Sequence, residues 1–288
     1  MGKLKSIPVD IKKDPESRTV CYSYKAESTP TKDGEPVILM CGCTCPIPKD
    51  NYPFKPPVFE YLQSIQKWIK HYSSFYNVPP VAVAGSIADE YNTRFMEDYS
   101  ALKNTIDFGQ DNTTPNPAVN DEKWSQKIED GYQKLKQKDP NNESRGWDDR
   151  LLNISAGDYG KANISLRTAI DLFEEHRKTF AVNRQNMSRG DLLKYLVTDE
   201  GTAQFTALAI LDAQNSMFGV LSSLPPRKQE SVLVTYFKQG PKYFRRYQEV
   251  VKNNATNKIN PGEGCRTCYQ RVQIGQAIGV KVPYLEPQ

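Results

Sequence analysis

Through the middle and C-terminal parts of the chain, apolar residues recur at helical spacing. Over residues 58–76, Phe59, Leu62, Ile65, Ile69, Tyr72 and Tyr76 return every three or four positions, which predicts an amphipathic helix. Asn77, Val78 and Pro79 break that run. Pro80 then opens a second helix: its missing N–H falls where no intrahelical acceptor exists, and its fixed φ suits a first turn. The residues that follow, VAVAGSIADEYNTR, are mostly small and apolar at first, as in a helix packed closely on every side. Val83, Ile87 and Glu90 fall at i, i+4 and i+7 and share one stripe, while Val81, Ala84 and Ala88 line the next. Gly85 leaves room for a neighbouring element. Glu90 thus continues an apolar stripe; the competing expectation is a helix end turning into solvent at Asp89 and Glu90.

Further helical periods appear at 191–198, 201–219 and 228–238, and Leu166, Ile170 and Phe173 fall on one helix face. The stretch GTAQFTALAILDAQNSMFG is largely apolar, as a central helix would be. Residues 97–153 are polar by contrast, with one charged helix at 124–137. They read as an insertion able to form a wall or lid over a site, where Trp147, Asp148 and Asp149 are either substrate contacts or, more plainly, a solvated loop. Residues 1–56 form a small irregular arm. Its β-type runs at 19–24 (TVCYSY) and 36–40 (PVILM) flank a turn signal at Lys32-Asp33-Gly34. The prolines at 46, 48, 53, 56 and 57 make an extended connector. The expected architecture is mainly α: one helical domain over 57–288 behind a β-bearing arm, with a cysteine-bearing tail over 252–288.

Composition narrows the class without choosing a function. With 288 residues, 38% hydrophobic and 25% charged, the chain is an ordinary globular protein able to bury a sizeable core. No apolar run approaches bilayer length. The opening MGKLKSIPVDIKKDPESR has charge but no apolar h-region, so no secretory signal is expected. The net charge of +4 is scattered, without the basic-aromatic stripe of a nucleic-acid binder. His71 and His176, the chain's 2 histidines, lie in different helices, which disfavours a histidine metal site or a Ser-His-Asp triad. Its 6 cysteines are Cys21, Cys41, Cys43 and Cys45 (CGCTC) near one end and Cys265 and Cys268 (CRTC) near the other. Disulfides, a structural tetrahedral zinc and unlinked thiols are all open readings, and each is structural.

Candidate chemistry gathers in three segments. On its apolar stripe Glu90 would be desolvated, which raises a carboxyl pKa and suits a general acid. In SAGDYGKANIS, Gly157 and Gly160 flank Asp158 and Tyr159, so the backbone can turn tightly and present both side chains. In TYFKQGPKYFRRY, Tyr236 precedes a Gly240-Pro241 turn and Tyr247 follows it. In this order the segments resemble the lysozyme-like superfamily, chiefly goose-type lysozymes and soluble lytic transglycosylases. Those proteins have a small-residue helix running into Glu, a glycine-flanked Asp, and a Tyr followed by a Gly turn and an Arg/Tyr-bearing helix. The resemblance spans about 58–251. The chain departs from it at Tyr91, where the family has Ser, at Lys161-Ala162-Asn163-Ile164, where it has Gly-Leu-Met-Gln, and at Phe237, where it has Asn.

The resemblance implies a lysozyme-like helical domain that cleaves peptidoglycan glycan strands without a cofactor. Glu90 would be the general acid and Asp158 the water-activating base. Tyr159, Asn163, Tyr236 and Tyr247 would contact substrate, with Tyr236 folding back toward Glu90. A lytic transglycosylase, which needs no second carboxylate, is the alternative enzyme. A non-enzymatic, zinc-stabilised binding protein built on Cys41, Cys43, Cys45, Cys265 and Cys268 is the alternative of a different class. Without a signal, the route to the periplasm would be that of an injected effector, as in type VI secretion, with an immunity protein and a secretion apparatus as partners. A phage lysis enzyme is the other route.

Overall fold

The structure, a computed structural model, describes residues 27–30, 36–39, 54–94, 122–140, 155, 157–222, 224, 226–240 and 264–282. These residues are mainly helical. Helix α1 (Pro56–Tyr76) starts on a proline and ends at Asn77, whose φ of 53° lets its N–H turn back onto the Ser73 and Ser74 carbonyls. Its buried face includes Leu62, Ile65, Ile69, Tyr72 and Tyr76 of the stripe set by the sequence period, with Val58 and Tyr61 added, while Phe59 is only partly buried. After the break at 77–79, α2 (Pro80–Arg94) packs on α1. Every residue from Val81 to Glu90 is buried. A helix with small residues on all faces has no solvent side to offer, so it becomes the centre of the packing.

Helix α3 (Glu122–Lys138) precedes a hairpin of two short antiparallel strands, β3 (Asp158–Tyr159) and β4 (Ile164–Ser165). Two strands, β1 (Glu27–Pro30) and β2 (Pro36–Leu39), come earlier in the chain. Ser165 caps α4 (Leu166–His176), accepting the Thr168 N–H at 3.1 Å, and Ser188 caps α5 (Arg189–Leu196) in the same way. Helix α6 (Asp199–Leu221) crosses α1, α2 and α7 (Pro226–Gln239), and α8 (Cys265–Tyr269) and α9 (Arg271–Ala277) close the fold. Phe173, Phe180 and Tyr195 cluster with Phe205 of α6, mostly edge to face, with ring centroids 5.0 Å apart for Phe173–Phe180 and a tilted Phe180–Phe205 pair.

A partly buried polar chain ties α1 to α6. Arg184 clamps both oxygens of Glu200 at 2.6 and 2.9 Å, and the Tyr72 hydroxyl donates to Glu200 Oε1 at 2.8 Å. The Arg184 guanidinium holds the Glu200 carboxyl below the usual range. Burial pushes the Tyr72 hydroxyl up to about 12.

The described residues bear on three expectations about organisation. The first strand of the N-terminal hairpin is Glu27–Pro30, paired with Pro36–Leu39, while 19–24 lies outside the described residues. Of the polar stretch expected to form a wall or lid, 97–121 and 141–153 lie outside the described residues, and what is described is its charged helix. It packs on α5 and buries Ile128 and Tyr132, and its last turn is capped by Arg167, which donates to the Leu135 and Asp139 carbonyls. Its amphipathic stripe, short but intact, is sufficient to dock it. The C-terminal segment is core. Arg266, Thr267, Cys268, Gln270, Arg271 and Ile274 are buried, and the Phe54 N–H donates to Gln270 Oε1 at 2.5 Å.

Candidate active site

Glu90 stands one turn from the C-terminal end of α2 and is 8% exposed. The helix carries it into the fold because the stripe below it, Val83 and Ile87, is fully buried. Two residues distant in sequence meet its carboxylate. Asn163 Nδ2 donates to Oε2 at 3.1 Å, and the Lys238 ammonium lies 3.5 Å from Oε1. Burial disfavours a charged carboxylate, whereas an amide donor and an ammonium favour it, so Glu90 sits between opposed influences. Asp89 lies deeper, at 2% exposure, and takes the closer contact of the same ammonium, 2.5 Å from Oδ2.

The hairpin turn is what delivers Asn163. Gly160 has φ 71° and Asn163 φ 52°, and the Asn163 N–H donates to the Gly160 carbonyl at 3.1 Å. Asparagine tolerates the left-handed region better than most residues, which fits it to this position. A Cβ on Gly160 would press on the Leu196 carbonyl at 3.2 Å, so glycine is required there on two counts. With Nδ2 committed to Glu90, Asn163 Oδ1 is left buried and accepts no hydrogen bond among the described residues. A buried acceptor in that condition suits a donor from a bound molecule.

Asp158 is half-buried in β3, opposite Ser165 of β4. Alternation along the strands sends Tyr159 and Ile164 to the buried side and leaves Asp158 and Ser165 on the other. Tyr159 is therefore taken into the core instead of lying open to a ligand. A Cβ on Gly157 would sit 2.8 Å from its hydroxyl. Burial, reinforced by the Asp158 carboxylate, pushes that hydroxyl well above its ordinary value.

Tyr236 is buried, at 5% exposure. Its hydroxyl turns toward Ser216 Oγ of α6 at 3.5 Å, and burial raises its pKa, with the nearby Asp212 carboxylate adding to the rise. Lys238, two positions on and so on a different helix face, reaches Glu90 from α7. Its signal in the sequence is a cation inside the third segment. Gly240 does end the helix as its segment implied, with φ 70° and its N–H on the Tyr236 carbonyl at 2.7 Å. Tyr247, Cys41, Cys43 and Cys45 lie outside the described residues, as does the side chain of Cys265. Cys268 is buried, at 1% exposure. Among the described residues no three histidines, cysteines or acids are grouped to hold a metal ion.

A second polar patch, unanticipated from sequence, adjoins α2 at Tyr91. The Tyr61 and Tyr91 rings are 4.7 Å apart. Lys161, from the hairpin turn, lies 4.0 Å over the Tyr61 ring and 3.1 Å from Asp199 Oδ1, which also accepts from the Tyr61 hydroxyl at 3.0 Å. Tyr91 is raised by burial first and by the Asp199 and Glu60 carboxylates after it. The hairpin thus reaches α2 through Asn163 and α1 and α6 through Lys161. No protein-family model, curated protein or solved structure matches this chain.

Proposed function

We propose that this protein cleaves the glycan strands of peptidoglycan in a lysozyme-like manner, with Glu90 as the general acid. The observation that carries the reading is the Asn163–Glu90 hydrogen bond, which joins two of the three motif segments across 73 residues of sequence. A carboxyl enclosed at a helix end and fixed by a residue of a facing hairpin can hold a proton in one orientation toward a glycosidic oxygen. Asn163 Oδ1, which accepts no hydrogen bond among the described residues, offers an acceptor for a substrate hydroxyl or amide N–H. In this mechanism Glu90 protonates the leaving oxygen as the bond breaks. Asp158 orients or deprotonates the water that attacks the anomeric carbon from the opposite face.

The place of action in this proposal is the periplasm, where the polymer lies, and an immunity protein would inhibit by covering Glu90. Among the described residues no helix is long and apolar enough to cross a membrane. Digestion of purified peptidoglycan, followed by mass analysis, tests the proposal. Hydrolysis yields reducing-end muropeptides; a transglycosylase, using a sugar hydroxyl in place of water, yields anhydro ends lighter by one water. Intact polymer after prolonged incubation would remove the enzymatic reading altogether.

A further inference from the structure

The two carboxylates at the end of α2 share one ammonium. Asp89 Oδ1 accepts from Arg266 Nη1 at 2.7 Å, and Oδ2 from Lys238 Nζ at 2.5 Å. The same Nζ is 3.5 Å from Glu90 Oε1. Arg266 is 7% and Lys238 19% exposed at the side chain, so these charges are little screened by water. A carboxylate buried as deeply as Asp89 needs compensation, and it has two cations to supply it. How much of the Lys238 charge Asp89 draws depends on how much Arg266 already provides. Among the described residues, Lys238 from α7 and Asn163 from the hairpin contact Glu90, and its helix neighbour Asp89 links it through Lys238 to Arg266 of α8. Arg271, the next cation on α9, is engaged by both oxygens of Glu230 at 2.5 and 3.0 Å.

We propose that Arg266 is a positioning residue for Glu90, acting through Asp89 and Lys238 to set the pH at which Glu90 gives up its proton. The inference rests on the reading of Glu90 as a general acid. Without Arg266, Asp89 draws Lys238 fully to itself, Glu90 loses part of its counter-charge, and it keeps its proton to higher pH. Removing Lys238 acts in the same direction. Removing the Asp89 charge acts in the opposite one, because Lys238 is released to Glu90. A merely structural role for these residues would lower activity without moving the profile in opposed directions.

The test is the pH dependence of kcat on purified peptidoglycan for the full chain and for Arg266→Gln, Arg266→Lys, Lys238→Met and Asp89→Asn. The limb along which activity falls as pH rises should move up by about one pH unit in Arg266→Gln and Lys238→Met, and down by a similar amount in Asp89→Asn. Arg266→Lys should restore the original limb. Reduced kcat with an unmoved limb, or shifts of one sign in all variants, would overturn the inference. If Arg266→Gln fails to fold, the opposed shifts of Lys238→Met and Asp89→Asn decide it. Titration of the Glu90 carboxyl carbon by NMR, assigned with Glu90→Gln, gives the same comparison without substrate. A wild-type protein that leaves peptidoglycan intact would then count against the catalytic reading, while the titrations alone would judge the coupling.

Discussion

Alanine at Gly85 would probe the seam that brings Asp89 and Arg266 together. A Cβ there would overlap Thr267 Oγ1 and Cγ2 and stand 3.0 Å from its Cβ. Thr267 cannot easily yield: it is fully buried, β-branched, and follows Arg266, which Asp89 holds. Alanine gains up to about 1 kcal/mol over glycine in a helix interior, whereas forced overlap in a packed core costs about 1–3 kcal/mol. The overlap here is closer than real Cβ contacts, which puts the cost in the upper part of that range and the net loss at about 1–2 kcal/mol. Thr267→Ala removes both colliding atoms. Its hydroxyl makes no hydrogen bond among the described residues, so that truncation should cost little beyond one buried methyl, about 1 kcal/mol. In the Thr267→Ala background Gly85→Ala should therefore stabilise. The assay is urea unfolding of the wild type, the two single variants and the double variant. The expected coupling is about 2 kcal/mol or more in favour of the double variant. Additive changes would show that α8 does not pack on α2 at this glycine.

Glu90→Gln should keep the fold, since an amide fits an enclosed site, and should lower peptidoglycan cleavage by about 10²–10⁴-fold, measured by release of soluble muropeptides; more than about a tenth of the activity remaining would refute its role as acid. The buried pair Glu230–Arg271 should behave as an uncompensated charge once broken. Glu230→Ala should lose about 3–5 kcal/mol in urea unfolding, while replacing both residues by apolar ones of similar volume should recover most of it. Burial, and secondarily the Glu175 carboxylate, raise Asp212 above its ordinary 3.8, with His176 opposing them. The folded state then binds that proton more tightly than the unfolded one, so this group's contribution to stability falls as pH rises from 3.8 through the folded value. Asp212→Asn should be more stable than wild type at neutral pH and equal to it below the ordinary value; the same difference at both pH values would remove the explanation.

The period of the apolar residues was enough to place the main helices, because burial of a stripe is a local demand repeated every turn. It marked α1, α2, α6 and α7, and it singled out Glu90 because a carboxyl interrupting a run of small apolar residues is visible in one dimension. Gly157, Gly160 and Gly240 likewise announced turns, since backbone freedom belongs to the residue itself. The partners of Glu90 were not legible in this way. Asn163 is an ordinary turn residue until the hairpin turns it toward α2, and Lys238 is one of several lysines until α7 takes its rotation. Tyr159 and Tyr236 stand in suggestive motifs, yet strand alternation and helix rotation send both inward. Arg266 lies in what reads as a tail, and only the docking of α8 at Gly85 brings it to Asp89. Hydrophobic patterning acts between near neighbours and is written along the chain. Which charges share a buried site depends on how helices rotate and cross, and long-range packing decides that.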